Sequence, residues 1–387
     1  MNRKALIVLS LAAIFGLLTA VLVHRTLRAG SSAPTGQKTK KVVVAAVKLG
    51  LGTQIKAEQL SVAEWPESLL PRGTFTEVEK LVGRVFLFLD LGRALARLWA
   101  KDADRWAARA MLLFAALALV YTPIRAYTDT RQIRVREQVI ASEKLPAEIA
   151  ELRIVHLSDL QLDARTDASL VRRYIERANA LQPDLAFFTG DTVTSGTEYI
   201  EAAAAWLGAV RARYGIYACL GDHDYWADPR RVPESLSRHG VVLLDDASRS
   251  LELGPISLHI AGVTNIYRRR PSSETLARLA AEKPAGHFSI LIAHQPSPSL
   301  VQWAKEQEYD LLLAGHTHGG QIALPFFGLR LALARLETPF VSGAYDVGTL
   351  WVNVTNGLGL TFAPLRFHAP AEIVLLRIVP MRTTGMR

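Results

Sequence analysis

Cysteine is almost absent from this chain of 387 residues, which contains a single one, Cys219. One cysteine excludes an intramolecular disulfide and a zinc site built on cysteine ligands. Because Cys219 lies in an apolar, strand-like run, we expect it to be a small buried core residue.

Acidic residues are scarce in the first part of the chain, where residues 1–150 carry 22 Lys/Arg and 12 Asp/Glu. Residues 151–387 are balanced, with 23 Lys/Arg and 24 Asp/Glu. The basic excess therefore coincides with the apolar segments of the N-terminal part, which favours an anionic membrane surface as partner. We find no internal repeat and no nucleic-acid-binding module.

Charge is missing altogether from residues 5–23, a run of 19 residues preceded by Arg3 and Lys4. This length matches the hydrocarbon thickness of a bilayer, so residues 1–30 are predicted to form a membrane anchor. A cleaved signal peptide is the alternative, but no small-x-small cleavage site stands out. A linker rich in Ser, Pro and Gly follows.

Residues 42–84 are predicted to form a small β-rich unit, with a strand over 42–47, a turn at 50–53 and a helical turn at 56–60. Together with the anchor, this pattern resembles the SAF-domain start of Flp pilus assembly proteins, over roughly residues 1–84. The resemblance implies no catalytic residues. It leaves open the alternative that the chain is an envelope or pilus-assembly adaptor acting through this unit.

Residues 85–125 are predicted to contain an amphipathic helix followed by a second membrane helix over 110–124. The cations of the first helix recur every four residues, which places them along one side of the helix. This side is either exposed to solvent or in contact with lipid phosphates at a membrane interface. The cations are Arg93, Arg97, Lys101, Arg105 and Arg109.

Residues 150–380 are predicted to form an α/β domain, because apolar β runs alternate with helical segments. Several of these strands end in polar clusters that contain carboxylates or imidazoles. In layered α/β folds, sites form at the carboxyl ends of strands, so we expect the clusters to meet and to hold two metal ions. They lie at residues 158–161, 190–191, 221–224, 294–295 and 315–318.

The order of these clusters resembles the calcineurin-like metallophosphoesterase superfamily, and more specifically its bacterial membrane-associated branch, over about residues 152–378. The resemblance rests on Gly-His-x-His-Gly-Gly-Gln at 315–321, and on a Gly-Leu-Gly segment at 357–359 that precedes Pro-Leu-Arg at 364–366. It implies a layered β-sandwich flanked by helices around a dinuclear metal centre, here behind the N-terminal membrane helix or helices and the SAF-like unit.

The same resemblance implies the ligands of two divalent ions, Mn, Zn or Fe. The first ion is assigned Asp159, Gln161, Asp191 and His318. The second ion is assigned Asp191, Asp222, His294 and His316, so that Asp191 bridges the pair. A metal-bridging hydroxide would then attack phosphorus in line. His223 would protonate the leaving oxygen, and Asp224 would orient His223.

Two residues depart from the family pattern, because Gln161 stands in place of a histidine and Asp222 in place of an asparagine. The neutral amide is expected to weaken the first site, and the added carboxylate to offset part of that loss. The chain is therefore predicted to be a membrane-anchored phosphoesterase of the bacterial cell membrane, hydrolysing a phosphomonoester or phosphodiester. The anchor and the basic helix favour a lipid-associated substrate. A metal-binding protein with weakened catalysis is the alternative.

Overall fold

The computed structural model describes residues 39–46, 56–66, 76–78, 105–326, 329–361 and 363–381. The predicted anchor over 1–30 and the amphipathic helix up to residue 104 lie outside the described residues. The chain divides into two compact units, Met1–Ala115 and Ala116–Arg387, which are described separately.

The described part of the first unit contains a two-stranded antiparallel sheet. Strands β1 (Thr39–Ala45) and β2 (Leu60–Pro66) pair with Val43 opposite Val62. A 3-10 turn at Ala57–Gln59 precedes β2, and the Gln59 side-chain oxygen accepts a hydrogen bond from the Lys56 backbone N–H at 3.1 Å. The strand and the helical turn predicted here are both present.

A single helix, α1 (Arg105–Arg131), covers the region where a second membrane helix was predicted, and Pro123 lies inside it. A helix over residues 110–124 is therefore confirmed. Within the described ranges, however, no helix combines the length and the hydropathy needed to cross a bilayer.

The second unit contains two six-stranded sheets and a small two-stranded ribbon of β12 and β13. The first sheet has the order β3-β16-β4-β5-β6-β7, and the second has the order β14-β15-β11-β10-β9-β8. The strands are β3 (Ile133–Ser142), β4 (Leu152–Leu157), β5 (Leu185–Phe188), β6 (Ile216–Ala218), β7 (Val241–Leu243), β8 (Ala247–Leu253), β9 (Ile256–Val263), β10 (Phe288–Ala293), β11 (Leu311–Ala314), β12 (Leu324–Phe326), β13 (Leu329–Leu331), β14 (Gly343–Asp346), β15 (Trp351–Val354) and β16 (Ala371–Pro380).

Six helices of this unit connect the strands, mostly as crossovers. They are α2 (Ala168–Ala180), α3 (Ile200–Gly208), α4 (Asp222–Ala227), α5 (Arg231–Arg238), α6 (Ser273–Glu282) and α7 (Pro298–Glu306).

Alternate residues of each strand enter different cores, which produces a four-layer sandwich. Phe187 of β5 packs between the two sheets with residues such as Ile290, whereas its neighbour Phe188 packs under α2, α3 and α5. Leu291 of β10 lies in a third core under α6 and α7. Cys219 is buried in the core between the sheets, as predicted. The predicted mixed α/β architecture of sheets and flanking helices is therefore confirmed.

One strand of the first sheet lies before residue 150, where the α/β domain was predicted to begin. Strand β3 pairs in parallel with β16, with Ile133 opposite Ala371. Its sequence alternates apolar and charged residues because it forms an edge strand with an exposed face, so it lacks the continuous apolar run of the central strands.

Strands β4, β5, β6 and β7 run parallel to one another, as do β9, β10, β11 and β15. The carboxyl ends of each set therefore lie along one edge of its sheet. The contacts between Thr189 after β5 and His294 after β10 show that these two edges meet, since His294 Nδ1 lies 2.7 Å from the Thr189 carbonyl oxygen.

The core between the sheets should control the stability of this unit. Replacing the fully buried Phe187 with alanine (Phe187→Ala) is expected to cost about 3–5 kcal/mol, because the lost contacts and the remaining cavity both destabilise the sandwich. Val139→Ala on β3, where the side chain is 49% exposed, is the control and should change stability by less than about 0.5 kcal/mol. Chemical denaturation of both variants measures the difference, and equal midpoints would contradict this assignment of the core.

Candidate metal centre

The sheet edges bring together all seven side chains that were predicted to bind metal. Asp159 follows β4, Asp191 follows β5, Asp222 begins α4 after β6, and His294 follows β10. The remaining three are Gln161, His316 and His318. All seven are buried except His316, which is partly exposed.

Unusual backbone conformation marks the same positions. The φ angles of five of the seven residues are positive: Asp159 (52°), Gln161 (50°), Asp191 (60°), His316 (69°) and His318 (50°). Left-handed conformations of non-glycine residues cost free energy and cluster at functional sites. The fold therefore holds these side chains in orientations that an unstrained loop would not adopt.

A first group of possible ligands consists of Asp222, His294 and His316, whose nearest ligand atoms all lie within 4.8 Å of one another. Asp222 Oδ2 is 3.2 Å from His316 Nδ1 and 3.5 Å from His294 Nε2. A carboxylate and two imidazoles at this spacing suit a divalent transition metal.

A second group consists of Asp159, Asp191 and His294, again within 4.8 Å. His318 Nε2 is 3.4 Å from Asp159 Oδ1, and Gln161 Nε2 donates to Asp191 Oδ2 at 2.7 Å. His294 Nε2 also lies 3.3 Å from Asp191 Oδ2, so the two groups adjoin along Asp191 and His294.

The chemistry of these donors fits bound cations. Burial by itself would lower the pKa of His294, but the charges of Asp191, then of Asp159 and Asp222, raise it well above its usual value. Among the described residues, the buried atoms Gln161 Oε1 and His318 Nδ1 have no hydrogen-bond partner. Clustered carboxylates and unpartnered lone pairs are what divalent cations would neutralise and occupy.

His223 lies beside this cluster and is held by two backbone contacts. Its backbone N–H donates to Asp191 Oδ1 at 2.8 Å, and its Nδ1 lies 2.6 Å from the Thr194 carbonyl oxygen. A carbonyl only accepts, so Nδ1 carries a proton, and Nε2 is the ring nitrogen that this contact leaves free. The imidazole also packs edge-on against the Trp226 ring, with centroids 4.9 Å apart.

Asp224 does not orient His223 as predicted. Its buried carboxylate accepts three backbone N–H groups instead, from Gly221 at 3.0 Å, Asp191 at 2.8 Å and Thr192 at 2.7 Å. Burial, followed by the charge of Asp191, raises the pKa of Asp224 to about 6. The contacts place Asp224 as a clamp that fixes the loop after β5, and the orienting group for His223 is the Thr194 carbonyl.

Sequence reasoning missed Glu337 and Tyr267, which lie far from every motif. Glu337 Oε1 is 3.0 Å from His316 Nε2, and Tyr267 donates its hydroxyl to Glu337 Oε2 at 2.7 Å. The Tyr267 backbone N–H also donates to Asp222 Oδ1 at 2.8 Å. A carboxylate on the far nitrogen of a histidine ligand fixes its tautomer and orientation.

Gln295 belongs to the predicted cluster at 294–295 but was given no role of its own. Its side-chain Nε2 donates to Asp222 Oδ2 at 2.7 Å.

The Gly-Leu-Gly segment packs against Asp159 and is held in place by Arg366. The buried Arg366 guanidinium donates to the carbonyl oxygens of Asn356 at 3.0 Å and Gly357 at 3.1 Å, and also to that of Gly359. A Cβ atom on Gly357 would lie only 2.6 Å from the Cβ of Asp159. Glycine is therefore required for the backbone to approach the ligand this closely.

Two family models match the chain. Residues 152–320 match the calcineurin-like phosphoesterase model, and residues 40–86 match the SAF domain model. The first range contains all the predicted ligands and His223, but not Glu337 or Arg366.

Three curated proteins illustrate the similarity. A metallophosphoesterase of Bacillus subtilis is 31% identical over 259 residues, which cover 65% of this chain and 87% of that protein. A metallophosphoesterase of Campylobacter jejuni is 29% identical over 69% of this chain and 68% of its own length. A zebrafish "transmembrane protein with metallophosphoesterase domain" is 30% identical over 73% of this chain and 66% of its own length.

Asp224→Asn should release bound metal, because an amide has one acceptor oxygen for three backbone donors and its NH₂ group repels one of them. Displacing the loop that carries Asp191 is expected to lower metal affinity about 10- to 100-fold. Metal content per chain after gel filtration measures this. Asp228→Asn, an exposed acceptor at the other end of α4, is the control. Full metal content in Asp224→Asn would contradict the clamp.

Glu337→Gln should lower metal affinity about tenfold, since the amide retains an acceptor for His316 but loses the charge that increases its basicity. Titration with Mn²⁺ against a competing chelator measures the dissociation constant. Glu306→Gln on α7, where the side chain pairs with Gln302, is the control. Equal dissociation constants for all three proteins would exclude a role for Glu337 in positioning His316.

Proposed function

Because the chain belongs to the calcineurin-like phosphoesterase family, we propose that it is a membrane-anchored hydrolase of phosphomonoesters or phosphodiesters that uses two divalent metal ions. Metal-dependent hydrolysis of phosphoric esters follows from the family itself. The number of ions, their ligands, the proton donor and the location are the parts that we infer.

The observation that carries the proposal is the pair of adjoining ligand groups at the meeting of the two sheet edges. Asp222 and His316 would hold one ion, Asp159, Gln161 and His318 would hold the other, and Asp191 and His294 lie between. Divalent cations bound there would activate the attacking water and neutralise charge on the phosphoryl oxygens.

His223 would supply the proton that the leaving oxygen needs. The Thr194 carbonyl fixes the proton on Nδ1, so Nε2 is the nitrogen free to gain a proton and to donate it. The His223 backbone N–H donates a hydrogen bond to Asp191 Oδ1, and this contact would fix the position of His223 relative to the proposed metal ligands.

The alternative of a metal-binding protein with weakened catalysis draws support from Gln161. Its amide nitrogen, which cannot bind a metal, contacts Asp191 Oδ2. Rotation of the amide by a half turn would bring the free Oε1 to the same place, at the cost of this hydrogen bond. A neutral ligand gained in this way would hold its ion less tightly than an imidazole.

Membrane anchoring is proposed from the uncharged run over residues 5–23 and from the name of the zebrafish relative. A lipid-associated substrate would be consistent with that location. The SAF-like unit supports a second candidate function, that of an envelope-assembly adaptor, because residues 40–86 match the SAF domain model.

The test is hydrolysis of p-nitrophenyl phosphate and bis(p-nitrophenyl) phosphate by the full-length chain with Mn²⁺. His223→Ala should keep its metal and lose about 10²- to 10⁴-fold in kcat, as expected for removal of a general acid. Asp191→Ala should lose both metal and activity, because it removes the carboxylate between the two groups.

His239→Ala is the matched control, since His239 is a surface histidine paired with Glu201. It should behave as the wild-type chain. Equal, near-zero rates in the wild-type chain and both site variants, with metal still bound by the wild type, would instead favour the metal-binding alternative. The adaptor function predicts partners that co-purify with the chain and are lost on deleting residues 42–84.

A further inference from the structure

The C-terminal half of α1 exposes large apolar side chains on several of its faces. Leu119 is 78% exposed, and Leu117, Val120 and Ile124 are each between 58% and 59% exposed. Residues 110–124 contain no charged side chain. A helical segment that is apolar all round is stable only in a core or in lipid, so the exposed faces of residues 113–124 need a partner that the described part of the chain does not provide.

A second set of exposed apolar residues follows the ribbon of β12 and β13. Leu333 is 79% exposed and Leu336 is 88% exposed, while Leu324 and Leu331 are about half exposed. Single exposed leucines are ordinary, but a contiguous run of them marks an interaction surface.

The second set lies close to the metal centre. A Cβ atom on Gly320 would lie 2.3 Å from the Cβ of Ala332, so the segment before Leu333 packs on the turn that carries His318. Directly after Leu336, Glu337 contacts His316. Leu333 and Leu336 therefore belong to a segment that contacts the neighbourhood of His318 at one end and His316 at the other.

The C-terminal half of α1 lies at the same edge of the sandwich. Thr130 Oγ1 accepts from the Arg366 backbone N–H at 2.8 Å, and Asp129 Oδ2 accepts from the His368 N–H at 2.6 Å. Phe367, between them, forms a bridge with Ile322 just before β12. The helix and the chain just before β12 therefore both contact one short stretch, residues 366–368, whose Arg366 also contacts the His318 carbonyl.

Positive charge lies beside this apolar surface. Arg131 at the end of α1 and Arg173 and Arg177 of α2 line one groove, in which Glu176 is the one acidic residue. The Arg131 guanidinium also stacks on the exposed Tyr127 ring, 4.0 Å from its centroid. Apolar side chains bordered by arginines match a bilayer with anionic headgroups better than a protein surface.

We propose that these residues form a lipid-docking surface, made of Leu117, Leu119, Val120 and Ile124 of α1 with Leu333 and Leu336, that places the mouth of the metal centre on an anionic bilayer. The inference rests on the proposed function and specifies its substrate class. A phosphoester carried by a lipid would present its phosphate at the depth of the metal centre, while its apolar part stays in the membrane.

Single cysteines at these positions test the proposal in the full-length chain. Leu119→Cys and Leu336→Cys would each be labelled with an environment-sensitive NBD fluorophore, since the native Cys219 is 1% exposed and burial raises its pKa well above the usual value. Val139→Cys is the matched control, because Val139 is 49% exposed on the edge strand β3. Each protein is reconstituted in vesicles of phosphatidylcholine and phosphatidylglycerol at about 7:3, with or without nitroxide-labelled acyl chains.

The nitroxide lipids should quench NBD at positions 119 and 336 at least threefold more than at position 139, and less so in vesicles of phosphatidylcholine alone. Tethering by residues 1–30 would bring position 139 to the same vesicles, so the difference among the three probes, and not quenching at any one of them, tests the surface. Equal quenching at all three positions would overturn the proposal. Self-quenching between labelled copies, without quenching by the lipids, would assign the surface to a second copy of the chain and would also overturn it.

The outcome is separable from the proposed function, because the aryl phosphate esters are soluble in water. Hydrolysis of these esters by the wild-type chain reports on the metal centre alone, whereas the probes report only on contact with lipid. Activity without lipid contact would overturn the docking surface and support the phosphoesterase function. Lipid contact without activity would support the docking surface and overturn the phosphoesterase function.

Discussion

The concentration of buried negative charge where two sheet edges meet is the constraint on which the rest of this structure depends. Asp159, Asp191 and Asp222 are each 2% exposed or less, and burying a carboxylate is costly unless cations and hydrogen bonds compensate it. The chain compensates with backbone N–H donors, with the imidazoles of His294 and His316 and, in our proposal, with two divalent ions. The left-handed backbone at the strand ends is the conformational cost of collecting these groups.

The sequence was informative wherever the chemistry follows a buried strand directly. Each predicted ligand from Asp159 to His318 lies within four residues of a strand end, so the parallel topology alone places them together. Glu337 and Tyr267 could not be found in this way, because contacts between loops distant in sequence depend on tertiary packing. The role of Asp224 was misjudged for a related reason. Adjacency to His223 along a helix does not imply contact, since neighbouring side chains on a helix point in different directions.

Backbone groups perform positioning work that side chains were expected to perform. The Thr194 carbonyl orients His223, and the carbonyls of Asn356 and Gly357 are held by Arg366. Every residue has a backbone carbonyl, so residue types do not show which carbonyl will orient a side chain. This part of the site therefore cannot be predicted from the sequence. Gly357 is the exception. A Cβ atom at this position would collide with Asp159, which explains why the motif has a glycine there.

The two departures from the family pattern act in opposite directions on the proposed ions. Gln161 removes an imidazole from the first ion, beside Asp159 and His318, whereas Asp222 adds a full negative charge beside His294 and His316. Cation affinity rises with the charge and the number of its ligands, so we infer that the second ion binds more tightly than the first. In the proposed centre Asp191 is shared, and loss of the weaker ion would leave its oxygen to Gln161, which already donates a hydrogen bond to it. We therefore infer that the same amide weakens the proposed first site and would stabilise the protein if that site lost its ion.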